Sequence, residues 1–145
     1  MEIHTILVPT DFSTYAAHAL QEACAIAARH TAQVLLLHVL PPLAFWGEDW
    51  AQRAAFEAQI QAGAEQQLVA ITTPHPEPIE TRVLWGDPAT TICEVAKTHP
   101  CELMVMSTHG RTGLAHVFIG SVAERVVRYA PCPVLIVRAF PEHQP

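Results

Sequence analysis

Five short apolar runs recur along the chain and predict the strands of one sheet. They cover residues 3–8, 34–39, 79–84, 103–106 and 134–137. The third run alternates apolar residues with Glu80 and Arg82, which predicts a strand at the edge of the sheet. The other runs show little alternation, as is typical of strands that are buried on both faces of a parallel sheet.

Four segments with helical spacing separate these runs. They cover residues 14–29, 49–71, 88–98 and 121–130. Ser13 or Asp11 could cap the first helix, and Asp87 before Pro88 is typical of a helix start. Ser121 opens the fourth helix, and Glu124 three residues later completes the capping-box pattern S-x-x-E.

Apolar stripes on the second and fourth helices predict the faces that these helices bury. The stripe of the second helix consists of Phe56, Ile60, Ala64, Leu68 and Ile71, and that of the fourth consists of Val122, Ala123, Val126, Val127 and Ala130. We expect both stripes to pack against the sheet.

Strand and helix alternate along the whole chain, and this order predicts a single Rossmann-like α/β domain. Helix-length crossovers give a doubly wound, five-stranded parallel sheet with helices on both faces. The edge-like third run favours the strand order 3-2-1-4-5. The domain would span residues 1–145, with a frayed polar tail over residues 141–145.

The predicted strand order also places a candidate site. Ligands of such sheets bind at the carboxyl ends of the strands, where the winding direction reverses. That point lies between the first strand, which ends in the turn Pro9-Thr10-Asp11, and the fourth, which leads into residues 106–110. The loop over residues 107–113 is small and glycine-bearing, and it leads towards a helix start. Backbone N–H groups there could hold a phosphate, and the helix dipole would favour the anion.

The fifth run raises a different expectation, because it forms the outer edge in this order. Val134–Val137 is apolar on both faces, and an unprotected strand of that kind promotes aggregation. A second copy of the same strand would cover it. We therefore expect a homodimer that pairs through Val134–Val137.

Composition narrows the classes of partner. Of 145 residues, 50% are hydrophobic and 15% are charged, which suits one folded domain with a core. The net charge is −6, and an acidic chain without basic clusters is a poor ligand for nucleic acid or an anionic membrane. We find no apolar run of about 18–20 residues and no basic leader, and we expect a cytoplasmic protein.

The spacing of the cysteines and histidines along the sequence does not indicate a metal centre. The cysteines, which stand in or beside apolar runs without a C-x-x-C pair, are expected to be buried and reduced: Cys24, Cys93, Cys101 and Cys132. No pair of the nine histidines shows ligand spacing with a thiol or carboxylate partner. We interpret His4 and His38 as core or interface residues.

The motifs, taken together in their order, resemble those of the universal stress protein (UspA-like) family. The resemblance covers residues 6–13, 37–39, 86–88, 107–113, 120–126 and 130–137. One branch of that family binds ATP through the pattern G-x2-G-x9-G-[ST], and another lacks the pattern. Here Gly110, nine further residues and Gly120-Ser121 match the pattern, whereas Ser107 replaces its first glycine.

The resemblance implies roles for individual residues. Asp11 would contact the ribose hydroxyls or a Mg²⁺ ion on the phosphates, and the backbone of Val39 would bind the adenine edge. Pro9 and Met106 would flank the nucleoside. The phosphates would be held, largely by backbone N–H groups, by Gly110, Arg111, Gly120, Ser121 and Val122. Thr10, Ser107 and His109 lie beside these residues and complete the candidate site.

The resemblance favours an ATP-binding stress-response domain that acts as a nucleotide-dependent switch or adaptor for an unknown protein partner. ADP or AMP could take the place of ATP. The sequence contains no G-x-S-x-G elbow and no Walker A lysine. Rapid phosphoryl transfer needs a base and charge stabilisation, for which only Asp11 and Arg111 are candidates, so we expect slow hydrolysis or none. Two alternatives stay open: a slow ATPase, and a protein-interaction domain that has lost nucleotide binding.

Overall fold

A computed structural model describes residues 1–44, 49–108 and 119–138. The strands in this part of the chain are β1 (Thr5–Pro9), β2 (Gln33–Leu40), β3 (Ile79–Trp85), β4 (Leu103–Ser107) and β5 (Val134–Val137). The helices are α1 (Thr14–His30), α2 (Trp50–Thr72), α3 (Pro88–Thr98) and α4 (Ser121–Tyr129). The predicted alternation of strand and helix is confirmed.

All five strands pair in parallel, in the order β3-β2-β1-β4-β5. The predicted order and the edge position of the third strand are therefore confirmed. The winding direction reverses between β1 and β4, since β2 and β3 lie on one side of β1 and β4 and β5 lie on the other. Parallel pairing in this order places the ends of β1, β2 and β4 at a common edge.

Successive residues of the central strands feed two separate cores, one on each face of the sheet. Ile6 and Val8 of β1 pack with residues of α1 and α2, whereas Leu7 packs with residues of α3 and α4. All three are fully buried. This double burial explains why the strands are continuously apolar, and it confirms helices on both faces.

The predicted stripe of α2 is only partly correct. Ala64 and Leu68 are buried, whereas Phe56 is 48% exposed. Twenty-three residues of helix span about 35 Å, but the seven residues of the neighbouring β3 span only about 23 Å. The first turns of α2 therefore extend beyond the sheet, and their residues are largely exposed among the residues that the structure describes.

The stripe of α4 is also narrower than predicted. Ala123 and Val126 are buried, but Val127 is 49% exposed. The helix has nine residues and packs against α3, at the side of the sheet where β5 is short. A narrow apolar face on α4 is therefore enough to cover the part of the core that this helix contacts.

The cysteines divide into two kinds. Cys24 and Cys93 are buried, as expected, whereas Cys101 and Cys132 are only half-buried. The Sγ atoms of Cys101 and Cys132 lie 3.6 Å apart, just before β4 and β5 respectively. This contact was not predicted from the sequence, because the two residues come from different loops.

None of the described helices is both long enough and apolar enough to cross a membrane. The predicted frayed tail, residues 141–145, lies outside the described residues.

Candidate functional site

An open cavity of about 220 Å³ lies at the carboxyl ends of the strands, where the winding direction reverses. The ends of β1, β2 and β4 and the first turns of α3 and α4 surround it. Its lining is largely apolar, with a few polar groups from Thr10, Asp11, His38 and Ser121. This combination is typical of a small-molecule site in a doubly wound sheet.

The turn after β1 is held in place by its own polar groups. The Thr10 N–H donates to the Leu37 carbonyl at 2.8 Å, which joins the turn to β2. The Phe12 N–H donates to Thr10 Oγ1 at 3.1 Å and the Ser13 N–H to Asp11 Oδ1 at 2.9 Å. Ser13, not Asp11, caps α1, because its hydroxyl accepts the Ala16 N–H at 3.1 Å.

Phe12 completes this turn with an unusual backbone conformation. Its φ is +66°, in the left-handed region that side chains other than glycine rarely adopt. The ring of Phe12 packs on the ring of His38, with centroids 4.3 Å apart. That contact and the hydrogen bonds around Thr10 and Asp11 hold the strained turn, which fixes Asp11 at the rim of the cavity.

His38 serves both as a core residue and as part of the cavity wall. It is only 9% exposed, and its Nδ1 lies 2.7 Å from the Thr10 carbonyl oxygen. Because a carbonyl can only accept, Nδ1 carries the proton in this contact. The interpretation of His38 as a core residue is confirmed, but its position in the cavity wall was not predicted.

The end of β2 presents backbone groups at the cavity. The Leu37 carbonyl accepts from Thr10 on the β1 side, whereas the Leu40 carbonyl accepts from Gly86 on the β3 side. Peptide groups alternate in direction along a strand, so the N–H and C=O of Val39 face the β1 side. They do so beyond Pro9, where β1 has ended. Val39 can therefore offer a donor and an acceptor to the cavity.

The N-terminus of α4 forms the opposite wall. The Gly120 N–H donates to the Thr108 carbonyl at 2.7 Å, which holds the helix start against the end of β4. The backbone N–H of Glu124 donates the first hydrogen bond of the helix, to the Gly120 carbonyl at 2.9 Å. The N–H groups of Ser121, Val122 and Ala123 therefore precede the helical ladder, and all three residues line the cavity.

The predicted capping box of Ser121 and Glu124 is wrong. Gly120 is the N-cap, Ser121 is already helical, and no described side chain caps this end. The loop enters the helix one residue earlier than the S-x-x-E pattern implies. The positive end of the helix dipole consequently faces the cavity, and no side chain in residues 1–44, 49–108 or 119–138 accepts a hydrogen bond from it.

An ion pair joins the two helices that border the cavity. Arg125 of α4 donates to both carboxylate oxygens of Asp87, the N-cap of α3, at 3.1 and 2.9 Å. It also donates to the Thr90 hydroxyl at 3.3 Å. The hydrogen bonds from Arg125 and then Thr90 hold the pKa of Asp87 well below its usual range. Asp87 therefore stays ionised at neutral pH and keeps α3 and α4 in register.

The structure brings together all of the predicted site residues that it describes. They line the one cavity: Pro9, Thr10, Asp11, Val39, Met106, Ser107, Gly120, Ser121 and Val122. His109, Gly110 and Arg111 lie outside the described residues. Pro88 and Ile92 of α3 also line the cavity, although neither was predicted from the sequence. The Gly86-Asp87-Pro88 helix start after β3 was the signal that could have indicated them, because it lies at the same edge of the sheet.

A comparison with protein families decides the classification. The model of the universal stress protein family matches residues 2–138. The chain belongs to the universal stress protein family.

Individual universal stress proteins are similar to it over most of their length. Universal stress protein MJ0531 of Methanocaldococcus jannaschii is 34% identical over 137 residues, which are 92% of this chain and 81% of the relative. The solved structure of UspA from Lactobacillus plantarum is 30% identical, with a TM-score of 0.77 and coverage of 95% of this chain and 99% of that one.

Some universal stress proteins of this fold have been solved with nucleotides. One, in complex with cAMP, is 25% identical, with a TM-score of 0.64 and coverage of 94% of this chain and 98% of that one. A protein from Arabidopsis thaliana with AMP bound and one from Archaeoglobus fulgidus in complex with dAMP share the fold at 21% and 23% identity. Nucleotide binding therefore occurs among proteins similar to this chain.

Proposed function

We propose that the cavity binds an adenine nucleotide, ATP foremost, and that the protein acts as a nucleotide-dependent switch or adaptor in a stress response. The observation that carries this proposal is the N-terminus of α4, which none of the side chains that the structure describes caps. Its first N–H groups line the cavity at the point where the sheet reverses its winding. An anion is the natural ligand of such an end, and a phosphate group has the required charge and acceptors.

Asp11 gives a reason why a cation would accompany the phosphates. Its carboxylate lies at the rim of the same cavity and would repel a polyphosphate. A Mg²⁺ ion prefers oxygen ligands and is commonly shared between one carboxylate and substrate phosphates. Asp11 would thus bind ATP through Mg²⁺ or, alternatively, accept hydrogen bonds from the ribose hydroxyls.

The remaining walls suit a nucleoside. The backbone of Val39 offers the donor and acceptor that an adenine edge requires, as derived from the direction of its peptide groups. The apolar side chains of Met106 and Ile92 provide a surface for the flat ring. Support also comes from the universal stress protein in complex with cAMP, which carries the same base.

Hydrolysis is the less favoured activity. The guanidinium of Arg125, on the helix whose N-terminus borders the cavity, already pairs with Asp87. It is therefore not available to stabilise charge on a transferred phosphoryl group. We expect turnover no faster than about one per hour, the order of an unassisted GTPase. Release of phosphate well above that rate, and its loss in Asp11→Ala, would instead identify an ATPase.

Calorimetry with Mg-ATP tests the proposal. Asp11→Ala should weaken the affinity by about 10- to 100-fold, the value of a hydrogen bond to a charged group. Glu22→Gln is the matched control, since Glu22 is an exposed acid on α1 that is remote from the cavity. Its affinity should equal that of the wild type.

Calorimetry that detects no heat of binding in the wild type at millimolar Mg-ATP would refute nucleotide binding. The protein would then be an interaction domain of this fold. Binding that Asp11→Ala leaves unchanged would place the nucleotide elsewhere on the molecule.

A further inference from the structure

A second group of polar side chains meets at the opposite end of the sheet. Cys24 of α1 and His75 and Glu77 of the connection between α2 and β3 each place one ligand atom within 4.8 Å of the other two. This group contains a single histidine, so the absence of paired histidines at ligand spacing in the sequence did not bear on it. Sequence spacing could not show this, because the fold brings Cys24 from a distant part of the chain.

We infer that Cys24, His75 and Glu77 form a binding site for a Zn²⁺ ion. Thiolate, imidazole and carboxylate are the ligands that Zn²⁺ uses in proteins. This assignment is independent of the nucleotide proposal, since it uses none of the residues of the cavity.

The distances fit a metal site that needs only side-chain adjustment. Zinc bonds of about 2.0–2.3 Å place tetrahedral ligands roughly 3.3–3.7 Å apart. His75 Nδ1 and Glu77 Oε2 already lie 3.9 Å apart. The thiol of Cys24 has to approach by about 1.5 Å at most from the 4.8 Å limit of the group, within the reach of a rotation of the two partly exposed side chains.

The backbone that carries two of the ligands is stiff and anchored. His75 and Glu77 alternate with Pro74, Pro76 and Pro78, whose rings fix their own φ angles. The His75 N–H donates to the Thr72 carbonyl at 3.0 Å, and the Pro78 carbonyl accepts from Val34 at 3.2 Å. This segment is therefore already ordered before a metal ion binds. Binding would cost little conformational entropy of the chain.

Burial differs among the three ligands in a way that suits an ion with one open position. Cys24 is 4% exposed and belongs to the core beneath α1 and α2. The side chains of His75 and Glu77 are 22% and 20% exposed, so solvent reaches their side of the group. Three protein ligands and a water molecule would complete four-coordination.

The free thiol is protonated at neutral pH. Burial, and secondarily the Glu77 carboxylate, raise the pKa of Cys24 to about 11. When the sulfur–zinc bond forms, the thiol proton leaves to solvent. The divalent ion then balances the two negative ligands.

The position of the site indicates what the ion would do. α1 begins beside the cavity, and Cys24 lies about 15 Å further along the helix. His75 and Glu77 immediately precede β3, at the amino ends of the strands. The ion would join α1 to the α2–β3 connection, and thus stabilise the domain without contacting the nucleotide.

Metal titration of the full chain tests this inference. We expect reduced, chelator-treated protein to bind one equivalent of Zn²⁺ from ZnCl2. At a concentration 100-fold above the Kd, Tm should rise by about 5–10 °C. CoCl2 used in place of ZnCl2 should give a sulfur-to-cobalt charge-transfer band in the near ultraviolet.

Substitutions identify the ligands. His75→Ala and Glu77→Gln should each weaken Zn²⁺ binding by more than about 100-fold, beyond the usual effect of an outer-shell residue. Cys24→Ser should abolish the charge-transfer band. Matched controls are His18→Ala on α1, Glu80→Gln on β3 and Cys93→Ser on the other face of the sheet, which should all bind as the wild type does.

Three results would overturn the inference. One is a wild-type protein that takes up no Zn²⁺ under these conditions. Another is unchanged affinity in both His75→Ala and Glu77→Gln, which lie at the surface and should fold even if Cys24→Ser does not. The third is loss of binding in the Cys101→Ser, Cys132→Ser double variant, which would assign the ion to the other pair of neighbouring thiols.

Discussion

Ser107 stands where the ATP-binding pattern of the universal stress protein family has its first glycine. Side chains of β4 alternate between the two faces of the sheet. Met104 and Met106 pack with α3 and α4, and Val105 packs with α1. Ser107 follows Val105 in this alternation, so its side chain points towards the α1 face. Ser107 itself lines the cavity, but most of the apolar wall, to which Met106 contributes, lies on the other face.

We therefore predict that the serine hinders nucleotide binding little. Ser107→Gly should change the Kd for Mg-ATP by less than about fivefold, the value of one ordinary hydrogen bond. Calorimetry on the variant and the wild type measures this ratio. A much larger gain in affinity would show that the Ser107 side chain obstructs the ligand, and a much larger loss would show that its hydroxyl binds it.

At the scale of the elements, the two halves of α2 differ in how deeply they are buried against the sheet. Leu68 is 1% exposed and is the largest fully buried side chain of this helix, whereas Phe56 is 48% exposed although both belong to one apolar stripe. The helix is thus held by its second half. Its first half extends past β3.

Two substitutions on α2 should reveal this asymmetry. Leu68→Ala should lower the free energy of unfolding by about 2–5 kcal/mol, the cost of a cavity in a packed core. Phe56→Ala should change it by less than about 1 kcal/mol, because the ring is half in water already. Denaturation in urea measures both values. Equal losses would mean that the first half of α2 is buried in solution.

The sequence predicted the elements of this fold well, because apolar runs and helix caps are local signals. The parallel order of the sheet followed from the alternation of strand and helix, and it placed Asp11 and Met106 at one site. Features that depend on contacts between distant residues were missed. Examples are the ion pair of Arg125 with Asp87, the two thiols that meet before β4 and β5, and the group around Cys24. The capping box of Ser121 failed for a related reason, since the helix start is set by the bond from Gly120 to Thr108.

At the scale of the whole molecule, the outer edge of β5 determines how two copies of the chain could assemble. It pairs with β4 on one side, and no described strand pairs with its other side. Leu135 in its middle is 41% exposed. We propose, as the sequence suggested, that two copies of Val134–Val137 pair to form a homodimer, which would cover this edge.

Leu135→Lys tests the assembly. A charged side chain at the centre of a β5–β5 pair should shift the protein to a monomer at micromolar concentration, as measured by size exclusion with light scattering. Val69→Lys is the matched control, because Val69 is 59% exposed on α2, away from β5. A wild-type protein that is already monomeric at that concentration would contradict the proposed dimer.

The contact between Cys101 and Cys132 has a consequence for the covalent state of the chain. The two residues are 31 positions apart, and a disulfide between them would close a ring around β4 and α4, the elements beside the proposed phosphate subsite. Such a ring would lower the conformational entropy of the unfolded chain and thereby stabilise the folded state by about 3–4 kcal/mol. Burial, however, raises the pKa of Cys101 to about 12 and also raises that of Cys132, so the reactive thiolate is scarce at neutral pH. An external oxidant that accepts two electrons and two protons from these thiols could therefore join them, and their partial burial would slow that reaction.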